Sequence, residues 1–375
     1  MLKKAVSLIL LVFILVSVTG CWDTININDT NIITTILVDR EDDQIVLYME
    51  IANTDSSGKS SEDGGEKFVV VKAGGENIVE ARANLDRRFD QPIYLGAARV
   101  LILTRNLTDF DIVDYFNRFR AEVKQRKKIL TVTTDDKPED IFKIGEASGE
   151  STGFYIEEMT KSLQDQGKIF LRPTGRYLEN LSSNYSCFII PSMSVDDNTI
   201  AHSGYSVVFG SRTIGNIPHE KSKGLHLLRV DNANLNYQIP FEDNYYTVRV
   251  QAKGRKVRPQ YENDEVSFDV NLMFSIEVMY SNSRHPCSID AEKLAGIRTE
   301  IEKVIKNDIE GTIYDSQKVH RCDYLGMDDE FQGSFPTEYE KLDWDKIYSD
   351  IPINVSIHSE IHTGNLMDYD HNETH

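Results

Sequence analysis

The sequence predicts a mixed α/β protein of the α+β kind, with several domains in which mixed and antiparallel sheets pack against helices. Short apolar runs with two-residue alternation recur along the chain, and stripes at helical spacing interrupt them. A length of 375 residues also exceeds what one hydrophobic core usually supports, so two or three domains are expected.

Asn31 to Asp39 and Gln44 to Ile51, rich in Ile, Val and Leu, read as a hairpin across the acidic turn Arg40-Glu41-Asp42-Asp43. Thr54 to Glu66 holds no large apolar residue and reads as a mobile loop. A strand at Val69 to Lys72, a helix at Ile78 to Phe89 and a strand at Ala98 to Thr104 follow. Phe110, Ile112, Val113, Phe116 and Phe119 recur near a 3.6 period, giving a helix over Asp109 to Phe119 before a strand at Ile129 to Thr134. This alternation points to mixed α/β layers. Pro138 to Ile144 and Thr152 to Gln166 read as helices, and Cys187 to Met193 as a short strand. At Asp196-Asp197-Asn198 a polar turn opens the second half. There, Ser206 to Phe209 and Arg212 to Ile214 form a small hairpin around Gly210-Ser211, and Lys221 to Arg229 forms a helix.

The clearest pattern comes next. Tyr246, Val248, Val250 and Ala252 alternate, and after a turn near Tyr261 to Asp264 so do Val266, Phe268, Val270, Leu272, Phe274, Ile276 and Val278. Seven alternate apolar positions define a long half-buried antiparallel strand. Leu294, Ile297, Ile301, Val304, Ile305 and Ile309 trace one stripe of a helix starting near Ser288, its expected N-cap. Val355, Ile357 and Ile361 supply a final strand. The expected division is a signal segment at 1–20, an N-terminal region at 21–195 with the loop 54–66, a C-terminal domain at 196–366 of antiparallel sheet plus long helix, and a polar tail at 367–375.

Lys3 and Lys4 precede an uncharged apolar run from Ala5 to Val18, and Val18-Thr19-Gly20-Cys21 closes it. This is the pattern of an export signal ending at a lipid-modified cysteine. The run is shorter than the roughly 18 residues of a spanning helix. Cleavage before Cys21 would free its amine for acylation and its thiol for a diacylglycerol thioether, and two or more chains hold a protein on a bilayer firmly. Cys21 is thus the one candidate site residue, a lipidation site.

Without Lys3 and Lys4 the chain carries 39 basic and 60 acidic residues, a net charge of −21. That balance argues against nucleic acid and against a broad patch lying flat on anionic lipid, since both need clustered Lys and Arg. Cys187, Cys287 and Cys322 cannot all pair. A disulfide between two of them and burial as small hydrophobes are both open, while the lack of C-x-x-C argues against thioredoxin-like redox work and common zinc frameworks.

No dinucleotide, P-loop, nucleophile-elbow or zincin motif occurs. His358, Glu360 and His362 would share one face of a strand, where two imidazoles and a carboxylate could reach one ion. Asn354 and Ser356 lie on that face too, so a wet strand face is the preferred reading. Asp135, Asp136, Glu139 and Asp140 fall in a loop and at a helix start, where carboxylates satisfy free N–H groups. The run Glu41 to Asp43 lacks the spaced donors of a calcium loop. No catalytic residue, cofactor or metal is expected. Trp22 reads as a headgroup or packing residue, and Trp344, near Tyr339, Leu342 and Ile347, as a core plug.

Cys21-Trp22-Asp23 before a hairpin, Tyr94-Leu95-Gly96 before the strand Arg99 to Thr104, and Arg120-x-Glu122 resemble the N-terminal half of the Ger(x)C spore germination lipoproteins. Gly204 to Phe209 with Ile214-Gly215, the meander Tyr246 to Tyr280, the helix from Ser288, Asp323-x-x-Gly326, Trp344-x-x-Ile347, and Asp350-Ile351-Pro352-Ile353-Asn354-Val355 resemble the second half, in the same order. The chain departs from the family at Thr24-Ile25-Asn26, at Ala97, and in Cys187, Cys287 and Cys322. The resemblance implies three mixed α/β domains and a non-enzymatic subunit of a spore nutrient germinant receptor. It also implies a Cys21 lipid anchor on the outer face of the inner spore membrane, and integral membrane subunits as partners. A substrate-binding lipoprotein of a transporter shares the anchor, size and composition, but would show two similar lobes of repeated βα units. An anchored hydrolase would need a nucleophile with a base.

Overall fold

The computed structural model describes residues 30–52, 68–121, 128–181, 187–282 and 290–363. The expected loop 54–66, the tail 367–375, Cys21, Trp22 and Cys287 lie outside them. Strands β1 (Asn31–Glu41), β2 (Gln44–Ala52), β3 (Phe68–Gly75), β4 (Ile93–Tyr94), β5 (Val100–Thr104), β6 (Leu130–Thr134), β7 (Cys187–Asp196), β8 (Thr199–Phe209) and β9 (Arg212–Pro218) form one sheet. Its order is β3-β2-β1-β5-β6-β7-β8-β9, with β4 beside β1. β1, β5, β6 and β7 run parallel, whereas the hairpins β1–β2 and β7–β8 are antiparallel. The turn at Asp196 is therefore a hairpin inside this sheet, which continues across residue 196.

A second sheet has the order β10-β11-β12-β13, built from β10 (Asn234–Phe241), β11 (Asn244–Glu262), β12 (Glu265–Ser281) and β13 (Ile353–Thr363). β10, β11 and β12 are antiparallel, and β13 runs parallel to β12. A parallel neighbour needs a crossover, supplied here by the helix Ala291–Tyr314 and the segment after it. Ile297, Ile301, Ile305 and Ile309 of this helix are buried, as the stripe predicts. Its cap is Asp290, whose Oδ1 accepts the Lys293 N–H at 2.8 Å. Ser288, the expected cap, lies outside the described residues.

Local chemistry fixes the turns. Asp42 and Asp43, Asp197 and Asn198, and Asn263 and Asp264 all have positive φ, so three hairpins close on two-residue turns of Asp and Asn, which accept that conformation and match strand twist. Asn77 caps the helix Ile78–Asp86 by accepting from Val79 and Glu80, each at 3.0 Å.

One apolar core spans both sheets, joining Val100, Ile102 and Val207 to the inner faces of β11 and β12 and to the long helix. A second core lies on the other face of the first sheet, under the helices Ile78–Asp86, Val113–Ala121 and Thr174–Asn180. On the same face as Val46 and Tyr48, which line the first core, buried Glu50 on β2 accepts from Thr34 Oγ1 at 2.7 Å, Thr35 Oγ1 at 2.5 Å, Ser151 Oγ at 2.6 Å and the Thr152 N–H at 2.9 Å. A strand carboxylate thus caps the helix Thr152–Asp165, whose own Ser151 makes no cap bond. Four donors offset the cost of burying the charge.

Phe274 is 3 % exposed and faces the shared core, as do the other six alternate apolar residues of β12. Phe274→Ala should cost about 3–5 kcal/mol in cavity and transfer terms, and Phe274→Asp more, because an unpaired charge replaces the ring. Chemical denaturation of both variants checks this, and a fully stable Phe274→Asp chain would contradict the assigned face.

Candidate functional site at the junction of the two sheets

Buried polar side chains, among them Ser316, Gln317 and Asp323, converge where the segment after the long helix meets β7 and the helix Lys223–Arg229. At its end, the long helix passes into a π-helix, Asp315–His320. Arg321 then takes a left-handed conformation, φ 50°. The chain turns sharply and delivers Cys322 to Cys187 on β7. Their disulfide joins residues 135 apart, with Cα atoms 5.6 Å apart.

Asp323 follows, 2 % exposed. Its Oδ1 accepts the N–H groups of Leu325 and Met327, each at 3.2 Å, and its Oδ2 accepts the Asp328 N–H at 2.8 Å and the Trp344 indole N–H at 3.2 Å. The turn needs Gly326, with φ 73°, for a second reason: a Cβ there would strike the Arg229 guanidinium. Arg229 donates to the Leu325 carbonyl and lies 5.0 Å from the Phe170 ring centroid. Arg172 stands over the same ring at 5.6 Å and pairs with Asp329 at 3.7 Å. Burial lowers Arg229 to about 10, which leaves it charged at neutral pH.

Trp344 is 4 % exposed, the core plug that the sequence suggests, and it packs among Phe268, Phe331, Tyr339 and Tyr348. Ser316 Oγ and Tyr348 Oη lie 2.6 Å apart, and Gln317 Nε2 donates to the carbonyls of Tyr348 at 3.0 Å and Ile351 at 2.7 Å. These bonds fasten the π-helix to the chain that leads into β13. The sequence signatures Asp323-x-x-Gly326 and Trp344-x-x-Ile347 are therefore two halves of one knot. Beside it, Tyr205 Oη accepts the Phe170 N–H at 2.7 Å and lies 2.7 Å from His226 Nε2.

A cavity of about 20 Å³ opens between Arg172, Arg229, Asp323, Asp328 and Asp329, room for about one water. Four donors hold the Asp323 carboxylate, which acts as a fixed clamp. Burial raises the Asp323 carboxyl, opposed by the N–H groups of Asp328 and Met327 and by Arg229. Asp328 is pushed up to about 8, first by burial and then by the charges of Asp323 and Asp329.

The other sequence candidates lie elsewhere. His358, Glu360 and His362 lie on the exposed face of β13 with Asn354 and Ser356, and among the described residues no group of three or more His, Cys, Asp or Glu side chains is placed to hold a metal ion. In the acidic run, Asp136 accepts the Val195 N–H at 2.7 Å, Glu139 accepts from Tyr48 at 3.1 Å, and Asp140 pairs with Lys143 at 2.9 Å. The sequence reading misses Arg229, Arg172 and Asp328. Arg229 ends an apolar Leu-Leu run, the one signal that its side chain enters the interior.

Residues 23–195 match the family described as spore germination protein N-terminal domain, and residues 203–364 match spore germination B3/GerAC like, C-terminal. The two-sheet body with its locked junction is thus that of a spore germination protein. The chain belongs to the Ger(x)C family. Spore germination protein KC of Bacillus subtilis is 21 % identical over 96 % of each chain, and spore germination protein B3 of the same organism is 19 % identical over 96 % of this chain and 98 % of its own. The crystal structure of the GerBC protein shares the fold, with a TM-score of 0.58 at 15 % identity over 87 % of this chain and 96 % of that one.

The raised Asp328 carboxyl makes a signed prediction. Folding takes up a proton at this group between the unfolded value near 3.8 and the folded value of about 8, so its contribution to stability falls as pH rises through that window. Asp328→Asn should remove this contribution. Unfolding of wild type and variant at several pH values should show wild type losing stability relative to the variant between pH 6 and 8, and parallel curves would refute the assignment.

Proposed function

We propose that this protein is a non-enzymatic, lipid-anchored subunit of a spore nutrient germinant receptor that assembles with integral membrane subunits to trigger germination. The observation that carries the reading is the pair of family matches, collinear over residues 23–364. The junction supports it, since a carboxylate clamp and a disulfide rigidify the body at the place where a solute-binding protein would need a hinge. Among the described residues no helix is long and apolar enough to cross a membrane. Attachment is assigned to Cys21 lipid on the strength of the apolar run Ala5 to Val18 and the small residues that precede the cysteine. The protein then sits on the outer face of the inner spore membrane. We also propose that 21–195 and 196–366 are its two sequence regions; the limits of the family matches support this division, and the first sheet binds the two together.

Cys21→Ala should abolish palmitate labelling and release the protein from the membrane fraction or leave it unprocessed. Metabolic labelling with a fractionation blot measures both, and processed protein retained on the membrane would refute the anchor. Deletion of the gene should abolish the spore response to the nutrients of its own receptor and leave responses through other receptors intact. Normal responses through the cognate receptor would refute the subunit role, and tight nutrient binding by the purified chain would favour a solute-binding protein.

A further inference from the structure

Because β1, β5, β6 and β7 are parallel, their starts share one end of the molecule and their finishes the other. The two ends differ in charge. At the finishing end, the turn 41–43, the run 135–140 and the turn 196–197 carry nine carboxylates between them, most of them exposed. At the starting end, Arg99 precedes β5 and Lys128 precedes β6. Arg87 and Arg88 close the helix that leads to Gln91 and Pro92, whose carbonyls accept the side-chain and backbone N–H groups of Asn31 at 2.9 Å each. Arg87, Arg88 and Lys128 are exposed. Among the described acids there, Asp86 is held by Arg82 at 2.7 Å, Glu157 faces Arg99 at 3.5 Å, and Asp90 is exposed.

The starting end is also where the chain arrives from Cys21. Eight residues lie between Cys21 and Thr30, a reach of at most about 30 Å when fully extended. A strand as long as β1 spans about as much again, so the tether holds the basic end beside the bilayer far more readily than the acidic one. Anionic headgroups attract clustered Lys and Arg and repel carboxylates over a distance of the order of a Debye length.

We propose that Arg87, Arg88 and Lys128 dock the first sheet end-on against the anionic headgroups of the membrane that holds the Cys21 lipid, with the strands upright and the acidic turns facing away. The proposal rests on the lipid-anchor reading. It accommodates the overall acidity that argues against a broad flat patch, because the contact is one end of one sheet.

The test uses the mature lipidated chain reconstituted in vesicles of phosphatidylcholine alone or mixed with phosphatidylglycerol. Flotation comes first: a chain that floats with neither vesicle refutes the anchor reading and the docking with it. For floated protein, chymotryptic cleavage after Phe89 is compared with cleavage after Tyr280, which is 60 % exposed. The expected result is cleavage after Phe89 at least about fivefold slower on the anionic vesicles and unchanged after Tyr280. The effect should disappear in high salt and in the variant R87E/R88E/K128E. Floated wild type cleaved equally on both vesicles, or protection that survives the charge reversal, would overturn docking while leaving the anchor intact. Protection confined to native spore membranes would overturn it too, in favour of a protein partner at this end.

Discussion

The joint between the two halves depends on one buried carboxylate. Asp323 is almost fully removed from bulk solvent, so the fold brings four donors to its charge, and three of those are backbone N–H groups of the turn that it starts. The fourth comes from Trp344, whose ring is packed in the core shared by the two sheets. Removing the charge would therefore orphan a turn and an indole together, which is why a buried carboxylate of this kind acts as a geometric clamp more than as a source of net stability. Arg229 enters on the same terms: it has room only because Gly326 lacks a side chain.

Glu50 repeats the device in the first sheet. There, hydroxyls of β1 and of the loop before the helix Thr152–Asp165 supply the donors. In both places a carboxylate fixes the start of a helix or turn against a strand, and both carboxylate side chains are buried. This differs from a ligand cleft, where polar groups converge on an open space. A body held in this way transmits displacement as a unit, which suits the subunit role proposed above.

Much of the architecture was legible in the sequence, for definite reasons. The inner face of β12, the stripe of the long helix and the β1–β2 hairpin were readable because burial on one face imposes a period on the residues. β10 was not, since Leu235, Tyr237 and Ile239 alternate over a short stretch that ends in Pro240. The parallel placement of β13 was not either: alternation reports which face is buried and is silent on direction. Asp323 and Trp344 were visible as signatures while their bond to each other was invisible, because it joins residues 21 apart through a turn that no local rule predicts. Of Cys187, Cys287 and Cys322, spacing could not single out the pair that β7 and the end of the π-helix bring together.

The cross-region disulfide also orders events in time. In the first sheet the strands after β1 and β2 add mostly at an existing edge, so the sheet can grow as the chain is made. Cys187 is then in place early, on β7, with its thiol unmatched. Its partner emerges only after the second sheet's three antiparallel strands and the whole long helix. The native pairing of Cys187 therefore waits until residue 322 has been made.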